Sequence, residues 1–139
     1  METMDQAGST GSTASVQVAS WALRISALAT LVIGLELWSG GGGGALVPVH
    51  MVLGIVAIIA AWSLGIMQLR RPGGSRGLAL GALVLGVLLP IAGVGQLSFF
   101  GGSGQLVAQL VHVVLAFAII GMGEACAGRL RRAQPATAR

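Results

Sequence analysis

The sequence predicts an all-α integral membrane protein, a bundle of four transmembrane helices, from three observations. Apolar residues make up 55% of the chain and charged residues only 9%, with a mean hydropathy of +0.88, a balance that an ordinary soluble domain does not carry. The apolar residues fall into four runs, each near the roughly 20 residues a helix needs to cross the hydrocarbon. The basic residues collect on one side of those runs.

Taken in order, residues 1–20, METMDQAGSTGSTASVQVAS, are small and polar, with Glu2 and Asp5 where a signal peptide would carry positive charge. They read as a disordered cytoplasmic tail before an uncleaved first helix at about 21–38. The second span, about 48–69, ends at Arg70 and Arg71. The third, about 77–99, contains Pro90, which kinks a helix by removing a backbone donor. The fourth, about 105–128, leads into a basic cytoplasmic tail at 129–139.

Every basic residue is an arginine: Arg24, Arg70, Arg71, Arg76, Arg129, Arg131, Arg132 and Arg139. All fall on one side of a four-span chain, while Ser39 to Val47 and Gly101 to Gly104 carry no charge. The positive-inside rule then puts both termini in the cytoplasm, for a multi-pass protein of the cell (plasma or inner) membrane. The sequence pI near 11.5 reports that topology and an attraction to anionic lipid, and gives no reason to expect nucleic acid as a partner. The single cysteine, Cys126, has no disulfide partner in the chain and reads as a small packing residue.

Two histidines break the apolar pattern. His50 lies 20 residues before Arg70, and His112 lies 20 before Arg132. They stand at matched depth, towards the outer face. At an offset of 62, His50, Val52, Leu53, Ile58 and Arg70 match His112, Val114, Leu115, Ile120 and Arg132. At nearly the same offset, Glu36-Leu37 followed by Gly41-Gly42 matches Gln96-Leu97 followed by Gly101-Gly102. Spans one and two therefore read as a copy of spans three and four. Such parallel two-helix repeats are related by a pseudo-twofold axis along the membrane normal.

Small residues share the histidine faces. Gly54, Ala61 and Gly65 follow His50 as Ala116, Gly123 and Ala127 follow His112, and those offsets return to one side of a helix. Small residues mark close helix packing in lipid, or a backbone against which a flat cofactor lies. A histidine in a span makes an interhelical hydrogen bond, serves a relay or transport path, or ligates a metal. A matched pair on helices of the same direction favours a shared ligand, and a low-spin haem iron takes two axial imidazoles. A closed zinc or copper site would want more ligands than Glu36, the one acid in the outer half, could add.

The local patterns His50-Met-Val-Leu-Gly and His112-Val-Val-Leu-Ala, in spans two and four of a four-span chain, resemble those of di-histidine haem bundles. The cytochrome b561-like membrane proteins and one four-helix half of haem A synthase share that arrangement. The resemblance spans roughly residues 21–132. It implies one b-type haem held by His50 and His112 between spans two and four. Haem A synthase pairs an upstream acid with its span-two histidine, whereas this chain has Val47, and b561-like proteins carry more histidines, for haem near both faces.

Further residues are expected at the cofactor. Gly54 and Ala116 line the histidine faces, and Glu36 or its repeat mate Gln96 accepts a hydrogen bond from a ligand imidazole. The outer face has no Arg or Lys for haem propionates. Gly40 to Gly44, Gly101 to Gly104, Gln105 and Gln109 would supply N–H donors instead. Pro90, with Gly93 and Gly95, makes room for a porphyrin edge or a lipid, and Glu124 pairs locally with Arg129. With both axial positions filled, such an iron passes electrons rather than activating oxygen. The expected function is thus a relay near the outer leaflet, serving quinol or a larger respiratory or photosynthetic complex, and not a stand-alone enzyme. The alternatives are a cofactor-free structural or assembly subunit of a membrane complex, another metal, quinone or transport role, and a small exporter. The one-sided arginines and the end-of-span place of Glu36 count against the exporter.

Overall fold

The computed structural model describes residues 2–40, 43–98 and 102–133. Those residues form α1 (Glu2–Trp38), α2 (Gly43–Arg70), α3 (Arg76–Ser98) and α4 (Gln105–Arg132), with a 3-10 turn at Gly102–Gly104 leading into α4. No strand occurs among the described residues. Four segments are long and apolar enough to cross a membrane: Thr13–Trp38, Gly44–Arg70, Arg76–Gln96 and Gln105–Arg132. The expected tail is shorter than its polarity suggests. α1 is helical from Glu2, and Val16, Ala19 and Ser20 are buried in the bundle. Serine hydroxyls are at home there because they can bond back to their own helix; Ser20 Oγ donates to the Val16 carbonyl at 2.7 Å. The basic segment expected at 129–139 is helical as far as Arg132, and residues 134–139 lie outside the described residues.

Short connections force sequential neighbours to run antiparallel. Gly40 opens the α1–α2 turn at a φ of 84°, and Gly73 opens the α2–α3 turn at 72°, where a side chain would be strained. The adjacent Gly41, Gly42 and Gly101 lie outside the described residues. Around the bundle α1 packs on α2 and α4, and α3 packs on α2 and α4, while among the described residues α1 and α3 do not meet. α2 and α4 form the short diagonal and run in the same direction. One offset joins them along their length: the His50 ring faces His112, Ala61 meets Gly123, and Arg71 Nη2 donates to the Ala133 carbonyl at 2.9 Å.

The closed core occupies the arginine half of the bundle. Leu23, Ala61, Leu64, Cys126 and Ala127 are fully enclosed there. Glycines let the helices approach. A Cβ on Gly65 would come within 3.3 Å of the Ala79 carbonyl, and one on Gly86 would overlap Trp62 Nε1, whose indole N–H donates to the Leu83 carbonyl at 3.2 Å. α3 runs through Pro90 as helix. In the other half packing thins out. Past the histidine level towards the arginine end, buried apolar residues begin at Ala57 in α2; in α4, Ala108 apart, they begin at Ile119. Both positions are seven residues after a histidine.

Candidate functional site

Each histidine is seated on a glycine of the outer helix beside it. A Cβ on Gly34 of α1 would stand 3.0 Å from His50 Cε1 and 3.6 Å from Nδ1. A Cβ on Gly93 of α3 would stand 3.0 Å from His112 Cε1, 3.3 Å from Nδ1 and 4.0 Å from Nε2. The Cε1–Nδ1 edge of both rings is thus turned outward, and Nε2 is the nitrogen farther from the glycine. One turn before each glycine, the backbone of Thr30 faces His50 and that of Leu89 faces His112 as acceptors. The Thr30 hydroxyl is already used, donating to the Ser26 carbonyl at 2.7 Å. Even so, Nδ1 of each ring is buried and reaches no partner in hydrogen-bonding geometry.

Across the diagonal the two imidazole centroids lie 6.3 Å apart, with their planes tilted by 43°. Two imidazoles on opposite faces of one metal, each at about 2.0–2.1 Å from it, hold their centroids about 6.4 Å apart, since a ring nitrogen sits roughly 1.15 Å from its centroid. The observed separation fits that arrangement, is too wide for rings bonded directly to each other, and falls within the range of tilted aromatic pairs. A Cβ on Gly54, one turn from His50, would meet nothing within 4 Å, and the interior at this level lacks the enclosed side chains that fill the other half. Among the described residues no group of three or more His, Cys, Asp or Glu stands together. Two imidazoles alone do not make an all-protein metal cage.

The expected partners divide. Gly54 lies beside His50, and Ala116, one turn from His112, is half-buried. Gln96, Gln105 and Gln109 are half-buried near the same end of α3 and α4. Glu36, by contrast, is exposed and makes no bond to either imidazole. It sits two residues from Gly34, about 200° around α1, so a helix that presents Gly34 to His50 turns Glu36 away. The local pairing expected of Glu124 is also overturned. Its two carboxylate oxygens accept from Arg24 Nε and Nη2 of α1, both at 2.8 Å, in a bidentate geometry that Arg129 on its own helix does not provide. Arg24 also lies over Trp21, 5.7 Å from the ring centroid. Cys126 is fully buried and free.

Sequence reasoning missed Gly34, Thr30 and the Leu89 backbone, and it gave Gly93 a different task. The available signal was spacing: Gly34 stands 16 residues before His50 and Gly93 stands 19 before His112, a difference absorbed by the longer connection before α4. Comparison with protein-family models, curated proteins and solved structures finds no match for this chain.

Proposed function

We propose that this chain is a b-type haem protein of the plasma or inner membrane that relays electrons near the outer leaflet, with His50 and His112 as the axial ligands of a single haem. The observation that carries this reading is the 6.3 Å separation of two half-buried imidazoles on parallel α2 and α4. Haem held by the two imidazoles would supply reversible one-electron chemistry. The protein's own tasks are then positional. Gly34 and Gly93 let the Cε1–Nδ1 edge of each ring come close to its outer helix, the backbones of Thr30 and Leu89 stand nearby as acceptors, and the open space at Gly54 would receive the edge of a flat group. Among the described residues no cation stands at this end, so Gln105, Gln109 and the N–H groups of the Gly102–Gly104 turn are the donors for anionic substituents.

The shared offset of 62 that joins α2 to α4 supports a parallel two-helix repeat, and the one-sided arginines support cytoplasmic termini. With no second ligand pair towards the arginine end, the electron partners lie in the membrane, as quinol or as subunits of a respiratory or photosynthetic complex. The resemblance to b561-like proteins and to half of haem A synthase rests on the two histidine motifs. The test is a dithionite-reduced minus oxidised visible spectrum of protein purified under haem-retaining conditions, beside His50→Ala and His112→Ala. A sharp low-spin α band in the wild type, lost or altered in both variants, is expected. A colourless wild type would overturn the reading and leave a cofactor-free structural subunit.

A further inference from the structure

At the opposite end of the bundle, where α2 and α4 leave the apolar zone, a cleft of about 260 Å³ opens between the α2–α3 turn and the end of α4. Gln68, Arg71, Arg129 and Arg132 line it. The arginines differ in how they are used. Arg71 is committed to the end of α4, with Nη2 donating to the Ala133 carbonyl at 2.9 Å and Nη1 to the Leu130 carbonyl at 3.5 Å. It thereby quiets the carbonyls that would otherwise repel an anion from a helix C-terminus. Arg131, outside the cleft, donates to Ser20 Oγ at 3.2 Å. Among the described residues Arg129 and Arg132 have no carboxylate partner, since the ion pair there joins Arg24 to Glu124.

Two further observations separate this cleft from a scatter of surface charge. The Arg132 guanidinium is folded back one turn, 3.6–3.9 Å from where a Cβ on Gly128 would stand, beside the cleft it lines. Gln68 is only 2% exposed, lines the cleft, and leaves Oε1 without a partner. A half-turn of its amide exchanges that acceptor for an N–H donor. Two guanidinium-bearing residues without a carboxylate partner among the described residues and a buried amide thus line one cleft, beside the last residues of spans that end at Arg70 and Arg132.

We infer that this cleft binds the phosphate of an anionic lipid headgroup, held by Arg129 and Arg132 with Gln68 beneath. Basic pockets between helices at a membrane boundary are suited to such headgroups, each arginine being worth roughly fivefold in affinity. The inference stands apart from the haem reading and uses no residue of the histidine site.

The test uses the full chain in nanodiscs of phosphatidylcholine with increasing phosphatidylglycerol, reading the thermal midpoint and, by native mass spectrometry, retained lipid. Wild type is expected to keep phosphatidylglycerol and to gain stability with it, whereas Arg129→Gln/Arg132→Gln binds it roughly 25-fold more weakly. Both arginines are exposed, and an unchanged midpoint in pure phosphatidylcholine checks that the double variant folds; the single variants, expected at about fivefold each, replace it otherwise. Arg76→Gln removes a charge beyond the cleft and is expected to change nothing. Equal losses in Arg76→Gln would reduce the effect to diffuse surface charge and overturn the site. Displacement of the lipid by millimolar inorganic phosphate would assign the cleft to a soluble anion and overturn the lipid assignment.

Discussion

Replacing Gly93 by alanine sets a methyl carbon 3.0 Å from Cε1 and 3.3 Å from Nδ1 of His112. Carbon atoms in contact rest at about 3.5–4.0 Å, so the ring retreats from α3 by roughly 0.5 Å or the helices part. Overpacking on this scale costs about 1–3 kcal/mol, and the better helix propensity of alanine offsets about 1 kcal/mol of it. The net expectation is a loss of about 0–2 kcal/mol. Gly34→Ala, at 3.0 Å from His50 Cε1, falls in the same range. Because each change drives its ring off its outer helix towards a neighbour 6.3 Å away, the double variant should lose more than the sum of the singles, by about 0.5 kcal/mol or more. Gly54→Ala is the control, since its Cβ meets nothing within 4 Å and only the propensity gain remains for the protein without cofactor. Equilibrium unfolding by sodium dodecyl sulfate in mixed micelles gives the stabilities, and the reduced-minus-oxidised spectrum reports ligand displacement in parallel. If Gly93→Ala is as stable as Gly54→Ala and keeps the wild-type spectrum, the seating of His112 on α3 is wrong.

Three other outcomes follow from particular contacts. Glu124→Gln strips the counter-charge from Arg24, bound at 2.8 Å, and should lower the melting temperature, with Arg24→Gln/Glu124→Gln recovering part of the loss; single variants that melt like wild type would remove the pair from the fold's support. Trp62→Phe deletes the 3.2 Å bond to the Leu83 carbonyl at a cost of about 1 kcal/mol. It should partly rescue Gly86→Ala, whose Cβ overlaps the indole, and unfolding curves of the two singles and the pair test this. Cys126, at 0% exposure, should resist a maleimide reagent until the detergent unfolds the bundle, and native labelling at the rate of a free thiol would show that the α2–α4 packing opens.

What was legible in the chain was periodic or conspicuous. Four apolar runs gave the spans, with ends displaced by up to eight residues where small residues such as Ala14, Ser15 and Ala19 read as tail yet pack as helix. Two histidines at equal distances from terminal arginines gave the pair that α2 and α4 bring together. Contacts between helices far apart in sequence left no such mark. Arg24 and Glu124 are 100 residues apart, and nothing local distinguishes a cross-bundle partner from Arg129, five residues on. Glu36 attracted attention as the sole acid of its half. Yet the residue that touches His50 is Gly34, which has no side chain to notice, and helical rotation makes those two positions near opposites.

Hydrocarbon is a severe medium for an unpaired polar atom, because no water stands in for the missing partner and each such atom costs several kcal/mol. The hydroxyls meet that demand on their own helices: those of Ser20, Ser26, Thr30 and Ser63 each close on a carbonyl one turn back, at 2.6–2.8 Å. His50 and His112 do not, and each buries Nδ1 without a bond at the level where the interior is least filled. A leucine at either position would pack with no polar penalty at all. Gly34 and Gly93 add to the cost, each giving up about 1 kcal/mol of helix propensity to admit a ring. Residues on four different helices thus converge on one level of the bundle, every one of them a worse choice for packing alone than an obvious substitute. Local packing rules broken on four helices at one level are what single this place out as the candidate site of the bundle.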